Sequence, residues 1–159
     1  MDAESSQALA RLLRRQRIAA LGTMSDGAPL VSMVLFVAAA DLTSIYIHVS
    51  RLAQHTQALL QDPRVGLMIA EPDTGERDPQ VLARVSIRGD ATETPPTAVD
   101  YEAAKAVYLD TFPRSAVNFG LGDFMLWRIR PRSARYVGGF GKIVDLTAAD
   151  FQQIASITT

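Results

Sequence analysis

The spacing of apolar and polar positions changes several times along the chain, and each change marks a predicted element. Leu9, Leu12 and Leu13 recur at helical spacing behind Ser5 and Ser6, either of which can cap a helix over 5–17. Arg11, Arg14, Arg15 and Arg17 fall mostly on its other faces, as a solvated face whose cations suit the C-terminal end of the helix dipole. Segments 18–24 and 30–37 read as strands around Ser25-Asp26-Gly27, a strong hairpin signal. In 44–49, Ile45, Ile47 and Val49 alternate with Tyr46 and His48, which predicts a third strand. Leu52, Leu59 and Leu60 keep helical spacing over 52–60 until Asp62-Pro63 closes the helix, and 65–70 is a buried strand.

The polar segment 71–79, with Pro72, Gly75 and Pro79, is a loop. Segment 81–92 alternates Val81, Ala83, Val85 and Ile87 with polar neighbours, as a strand with one wet side does. Pro95-Pro96-Thr97 opens a helix from Ala98 to about Leu109, with Thr97 as its cap. Strands follow at 124–130 and 134–137, broken by Pro131, and Thr147 with Asp150 begins a terminal helix over about 147–157. Strands outnumber helices, without the strict strand–helix alternation of a parallel sheet. The pattern predicts one mainly β domain over 1–159, an antiparallel barrel with helices on its flanks and no internal repeat.

Composition narrows the chemistry. Apolar residues make up 48% and charged residues 21%, which fits a globular domain with its own core. A formal charge of −1 gives no global reason to expect nucleic acid or a membrane surface as partner. The chain has no cysteine, so disulfides, thiolate metal sites and a cysteine nucleophile are excluded; this fits a cytoplasmic protein. The first 17 residues have no apolar core of signal-peptide type. The longest uncharged apolar stretch, 27–40, falls short of the about 20 residues that a bilayer needs.

Two histidines, His48 and His55, and no G-x-S-x-G turn leave a Ser-His-Asp hydrolase poorly supported, and no metal-ligand spacing is present. The run from Tyr46 to Thr56 says more. A strand ends and a helix begins across Ser50, and a helix N-terminus suits an anion. Ser50 can cap or donate its hydroxyl, and Arg51 and His55, four apart, share a helix face. These residues fit a phosphate cradle, and they equally fit an ordinary serine-capped helix with exposed polar side chains. Gly138-Gly139-Phe140-Gly141-Lys142 lacks the G-x-G-x-x-G spacing of dinucleotide loops and reads as a glycine turn. Trp127, in a strand, reads as core or interface.

The order of "AALGTMSDGAPLVSMVLF", "IYIHVSRLAQHTQALLQDPRVGLMI" and "ARVSIRGDA" resembles the pyridoxamine 5'-phosphate oxidase-like split barrels that bind FMN. The later "YLDTFPRSAVNFGLGDFMLWRI" and "ARYVGGFGK" look like their haem-utilisation, or HugZ-like, branch, and the likeness runs from about Arg11 to Lys142. It implies a six-stranded antiparallel Greek-key split barrel, paired as a homodimer with FMN at the subunit interface. Ser32, Met33 and Val34 would then approach the flavin, and His48, Val49 and Ser50 would lie along the ribityl phosphate. Many relatives carry K-x-x-N-L on the next helix; here His55-Thr56-Gln57-Ala58-Leu59 stands in its place, and the H-T of His55 and Thr56 matches the haem-utilisation branch. Arg84 matches a polar position that contacts flavin in relatives.

Some features depart from the resemblance. The arginine–histidine pair that holds pyridoxal phosphate in the true oxidases finds no match, which argues against that activity. Haem-degrading relatives use a histidine in a C-terminal extension, and no histidine follows His55 here. Some relatives carry a further C-terminal domain. Three readings follow: an FMN-dependent oxidoreductase of unknown substrate, a haem-binding protein with His48 or His55 as axial ligand, and a non-catalytic FMN module. A homodimer is expected in each, because strand residues such as Met33, Val34 and Phe36 would leave apolar surface uncovered.

Overall fold

The computed structural model describes residues 1–139 and 141–157, so the central Phe140 of the glycine turn and the last two residues of the predicted domain lie outside it. Helix α1 (Ala3–Arg15) is capped by Asp2, whose carboxylate accepts the Ser5 N–H at 2.7 Å. Neither predicted serine caps it; Ser5 is buried instead, and an ionised carboxylate is the stronger acceptor at this end of the dipole. Leu9, Leu12 and Leu13 join the main core as the spacing predicts. Arg14 is not only solvated: it donates to the carbonyls of Ala155 and Ile157 at 2.7 Å each.

One antiparallel sheet follows, built from β1 (Ile18–Ser25), β2 (Ala28–Leu35), β3 (Val37–Ala38), β4 (Ile45–Ser50), β5 (Arg64–Ala70), β6 (Arg84–Glu93), β7 (Phe124–Val137) and β8 (Ile143–Thr147). Its order is β2-β1-β5-β6-β7-β4-β3, with β8 also paired to β7. The helices are α1, α2 (Gln54–Gln61), α3 (Tyr101–Thr111), α4 (Ala116–Phe119) and α5 (Ala148–Ala155). The expected antiparallel barrel is therefore a curled half-barrel in a mixed α/β protein, and it has eight strands among the described residues where six were expected. The two-residue β3 and the C-terminal β8 carry too little periodicity to be read from sequence.

Asp26 and Gly27, with φ of 51° and 78°, close β1 on β2 as a two-residue turn between Ser25 and Ala28. The main core lies in the hollow of the sheet, where Leu21, Leu67, Ile87 and Ile129 from four strands meet Leu9 and Phe151 from the end helices. Trp127 belongs to it. Met68, 44% exposed on the other face of β5, shows that this strand is half-buried and not buried throughout. Strand β4 is buried on both faces. Ile45, Ile47 and Val49 enter the core, while Tyr46 joins a second cluster with Tyr101, Tyr108 and Phe112, and His48 stacks beside it.

Several predicted boundaries move. The 81–92 strand begins at Arg84, because Pro79–Val81 forms a 3-10 turn capped by Asp78. Helix α3 begins at Tyr101; Thr97 sits in the preceding turn, and the cap position falls to Asp100, whose carboxylate pairs with Arg128. Strand β7 runs unbroken through Pro131. Opposite Pro131 in β6 stands Gly89, where the register shifts, and a Cβ there would lie 2.5 Å from the Arg130 carbonyl oxygen. A bulge with glycine at the close approach lets the strand pass its proline. The predicted Thr147–Asp150 capping box is present on α5.

Candidate cofactor site

Most predicted site residues gather at one corner of the half-barrel. Helix α2 packs on β1 and β2, and β2 also touches β4, so the elements that carry Ser32–Val34, His48–Ser50 and His55–Thr56 adjoin one another. Not all of them are open to a ligand. Val34 and Val49 are 4% and 7% exposed and point into the core, so only their main chain can face outward. Phe36, expected to be partly uncovered with Val34, is also fully buried. Met33 is exposed and Ser32 is half-buried on the same strand.

The turn after β4 differs from a simple serine cap. Residues 51–53 form a turn, so Arg51 precedes the helix and does not share a helical face with His55. The cap position of α2 is Ala53, which offers no side-chain acceptor. Ser50 Oγ accepts the Leu52 N–H at 3.1 Å and donates to the Asp123 carboxylate at 2.8 Å, while the Asp123 carbonyl accepts the Arg51 N–H. Asp123 thus ties the turn to the start of β7 and puts a negative charge beside Ser50. Arg51 is exposed and in no ion pair among the described residues.

Leu52 is 83% exposed and Leu60 48% exposed; α2 buries Thr56, Ala58 and Leu59 instead. The Thr56 hydroxyl and His55 Nε2 are both buried with no hydrogen-bond partner among the described residues. Burial holds the His55 imidazole below its ordinary pKa, so its neutral form is favoured.

His48 faces away from the core, stacked on Phe119 and edge-on to Tyr108. Burial first, then the nearby Lys105, lowers its pKa to about 4, and burial pushes the Tyr108 hydroxyl up to about 12. Its Nδ1 is buried without a partner among the described residues. Arg84 stands apart, three strands from β2 in the sheet order, and donates to the carbonyls of Gln80 and Leu82 at 3.1 Å each. It braces its own loop. Among the described residues, no group of three or more histidine or acidic side chains is placed to hold a metal ion.

Sequence reasoning missed Asp123 and Phe119. Both lie in a quoted segment, but nothing local announces a bond between residues 73 apart.

The outer face of β2, β1 and β5 is uncovered. Two rungs cross it, Val31–Gly22–Gly66–Arg88 and Met33–Ala20–Met68–Ser86. Small residues in β1 and β5 floor a hollow of about 700 Å³, with Val31 and Met68 on its walls. Val31 and Met33 are each 69% exposed, and Ile18 and Leu35 extend the apolar surface.

The family described as pyridoxamine 5'-phosphate oxidase matches residues 5–138. A chloroplastic heme oxygenase, HOZ, of Arabidopsis thaliana is 38% identical over 117 residues, which are 72% of this chain and 33% of that protein. The heme oxygenase HutZ of Vibrio cholerae is 27% identical over 134 residues, covering 79% of this chain and 71% of HutZ. A solved heme-binding protein from Mycobacterium smegmatis superposes with a TM-score of 0.84 at 26% identity, covering 96% of this chain and 62% of that one. The chain thus spans about a third of the chloroplastic relative's length. No helix among the described residues is long and apolar enough to cross a membrane.

Proposed function

The chain belongs to the pyridoxamine 5'-phosphate oxidase family of split barrels, and on that premise we propose that it binds haem and serves in haem utilisation. The observation that carries this reading is the 38% identity to a heme oxygenase across most of the barrel, joined by HutZ and the mycobacterial heme-binding protein. The residues fit the group in one respect. His55 is held neutral by burial, as an iron ligand must be, and its Nε2 has no hydrogen-bond partner among the described residues; that nitrogen is enclosed by the protein, so the ring would have to turn outward to offer it to iron. When bound, haem would supply the redox chemistry, and the chain's own groups would position and enclose it.

The corner fits a phosphate less well. The Ser50 hydroxyl already donates to Asp123, and that carboxylate opposes a second anion at the same place. FMN binding is retained as a second reading, because the family description and the exposed Arg51, in no ion pair among the described residues, support it. The uncovered apolar face of β2, β1 and β5 supports a homodimer in either case.

The test is haemin titration of the parent and of His55→Ala, followed by absorption. A Soret band in the parent that shifts or weakens in His55→Ala supports the reading. Flavin bands in the purified protein, with no haemin binding, overturn it in favour of FMN.

A further inference from the structure

A cationic cleft lies away from the turn after β4. It encloses about 570 Å³ beside the open end of the β1–β2 hairpin and the turn after α3, and is lined by Arg17, Ile18, Leu35, Phe112, Pro113 and Arg114. Ile18 and Leu35 are register partners at the end of the hairpin, 52% and 38% exposed, at the margin of the apolar face assigned above to the dimer. Phe112 ends α3, and Pro113 turns the chain into the 3-10 segment Pro113–Ser115 that carries Arg114. The Arg17 guanidinium lies over the Phe112 ring at 4.7 Å and donates to the Thr111 carbonyl at 3.3 Å, which holds it at the cleft wall.

Among the described residues, no acidic side chain lines this cleft. Arg17 and Arg114 are in no ion pair among the described residues, as is also true of Arg11, Arg15, Arg51, Arg84, Arg88 and Arg130; what sets these two apart is that they share one apolar cleft with no carboxylate among its described lining. In a chain of net charge −1, two unneutralised guanidiniums beside apolar walls are a local excess that an anion offsets. The forked guanidinium is shaped for a carboxylate, and the volume is that of a small-molecule site.

We propose that this cleft binds a flat aromatic carboxylate, with its ring against Ile18 and Leu35 and its carboxylate held by Arg17 and Arg114. The site stands whether or not the barrel takes haem. The chemistry has two sources: a free aromatic acid, or the propionate edge of a haem whose plane reaches this wall.

The probes are 2-naphthoate and its neutral counterpart 2-naphthalenemethanol, titrated calorimetrically into the parent, Arg114→Gln and Arg17→Gln, with thermal melts to confirm folding. Naphthoate should bind the parent more tightly than the alcohol, and each substitution should weaken it several-fold while leaving the alcohol unchanged. Failure of naphthoate to bind the parent, equal binding of the two probes, or indifference to both substitutions overturns the site. A haemin titration then separates the sources. If Arg114→Gln weakens haemin as well and naphthoate competes with it, the haem edge occupies the cleft; if haemin is unaffected, the cleft serves a separate acid, and both results uphold the site. A parent that binds naphthoate but no haemin removes the haem reading alone.

Discussion

The imidazole of His48 lies flat on the ring of Phe119, with centroids 3.7 Å apart and planes 7° from parallel. Burial, and then the nearby Lys105, keep the imidazole in this stack neutral by lowering the His48 pKa to about 4. An unfolded chain would take up the proton near pH 6.5. Between those values the unfolded state binds a proton that the folded state refuses, so stability is full above pH 6.5 and falls as pH drops towards 4. His55, also lowered by burial, works in the same direction. Urea unfolding at pH 7 and pH 4.5 should show the parent losing on the order of 2 kcal/mol more than His48→Phe over that interval. Equal losses would mean that His48 accepts its proton without disturbing the stack.

Gly89 tests the passage of Pro131. A methyl group there meets the Arg130 carbonyl oxygen at 2.5 Å, which backbone has to move to relieve, whereas at Gly66 the nearest heavy atom is 4.0 Å away. Gly89→Ala should therefore cost about 2–4 kcal/mol in unfolding free energy and Gly66→Ala less than about 1 kcal/mol. Similar melting temperatures for the two variants would show that the bulge can relax.

Asp123 is the residue that sets the corner against a phosphate. Asp123→Asn keeps an acceptor for the Ser50 hydroxyl and removes the charge. Calorimetry should show FMN binding strengthened several-fold in this variant relative to the parent. Unchanged affinity would place the phosphate elsewhere.

Met33 is 69% exposed in the middle of the uncovered apolar face. If that face joins two copies, Met33→Asp buries a charge at the contact and should shift light scattering at micromolar concentration from dimer to monomer. A parent that is itself monomeric would sink the interface.

Much of the fold was legible because its signals are local. Asp26-Gly27 specified a hairpin, Leu9, Leu12 and Leu13 marked the buried side of α1, and Thr147 with Asp150 marked the start of α5. Errors came where tertiary contacts overrode them. Pro131 reads as a break unless Gly89, forty-two residues earlier, is known to face it. Leu52 and Leu60 looked like a buried face, but α2 turns Thr56, Ala58 and Leu59 inward. At the site, the order of the motifs located the β4–α2 corner, while the partners that define its charge did not follow from spacing. Ser50 meets Asp123 only because β4 pairs with β7. The alternation in β4 predicted a strand but not the cover over Tyr46 and His48, which α3 and α4 supply.

Pro131 also falls at a handover. On one flank, β7 pairs with β4 over Phe124–Ile129 and with β8 over Ser133–Val137, and the residue lacking an N–H stands between the two stretches. The protein therefore has a seam across its longest strand. On one side are β3, β4 and the aromatic layer over His48; on the other are β8 and α5, fastened to α1 through Arg14. Neither ladder supports the other along that flank, so each can open without carrying its neighbour with it. Amide hydrogens of β8 and α5 should accordingly exchange as one group and those of β4 as another, with the proline as the boundary between two units of local unfolding.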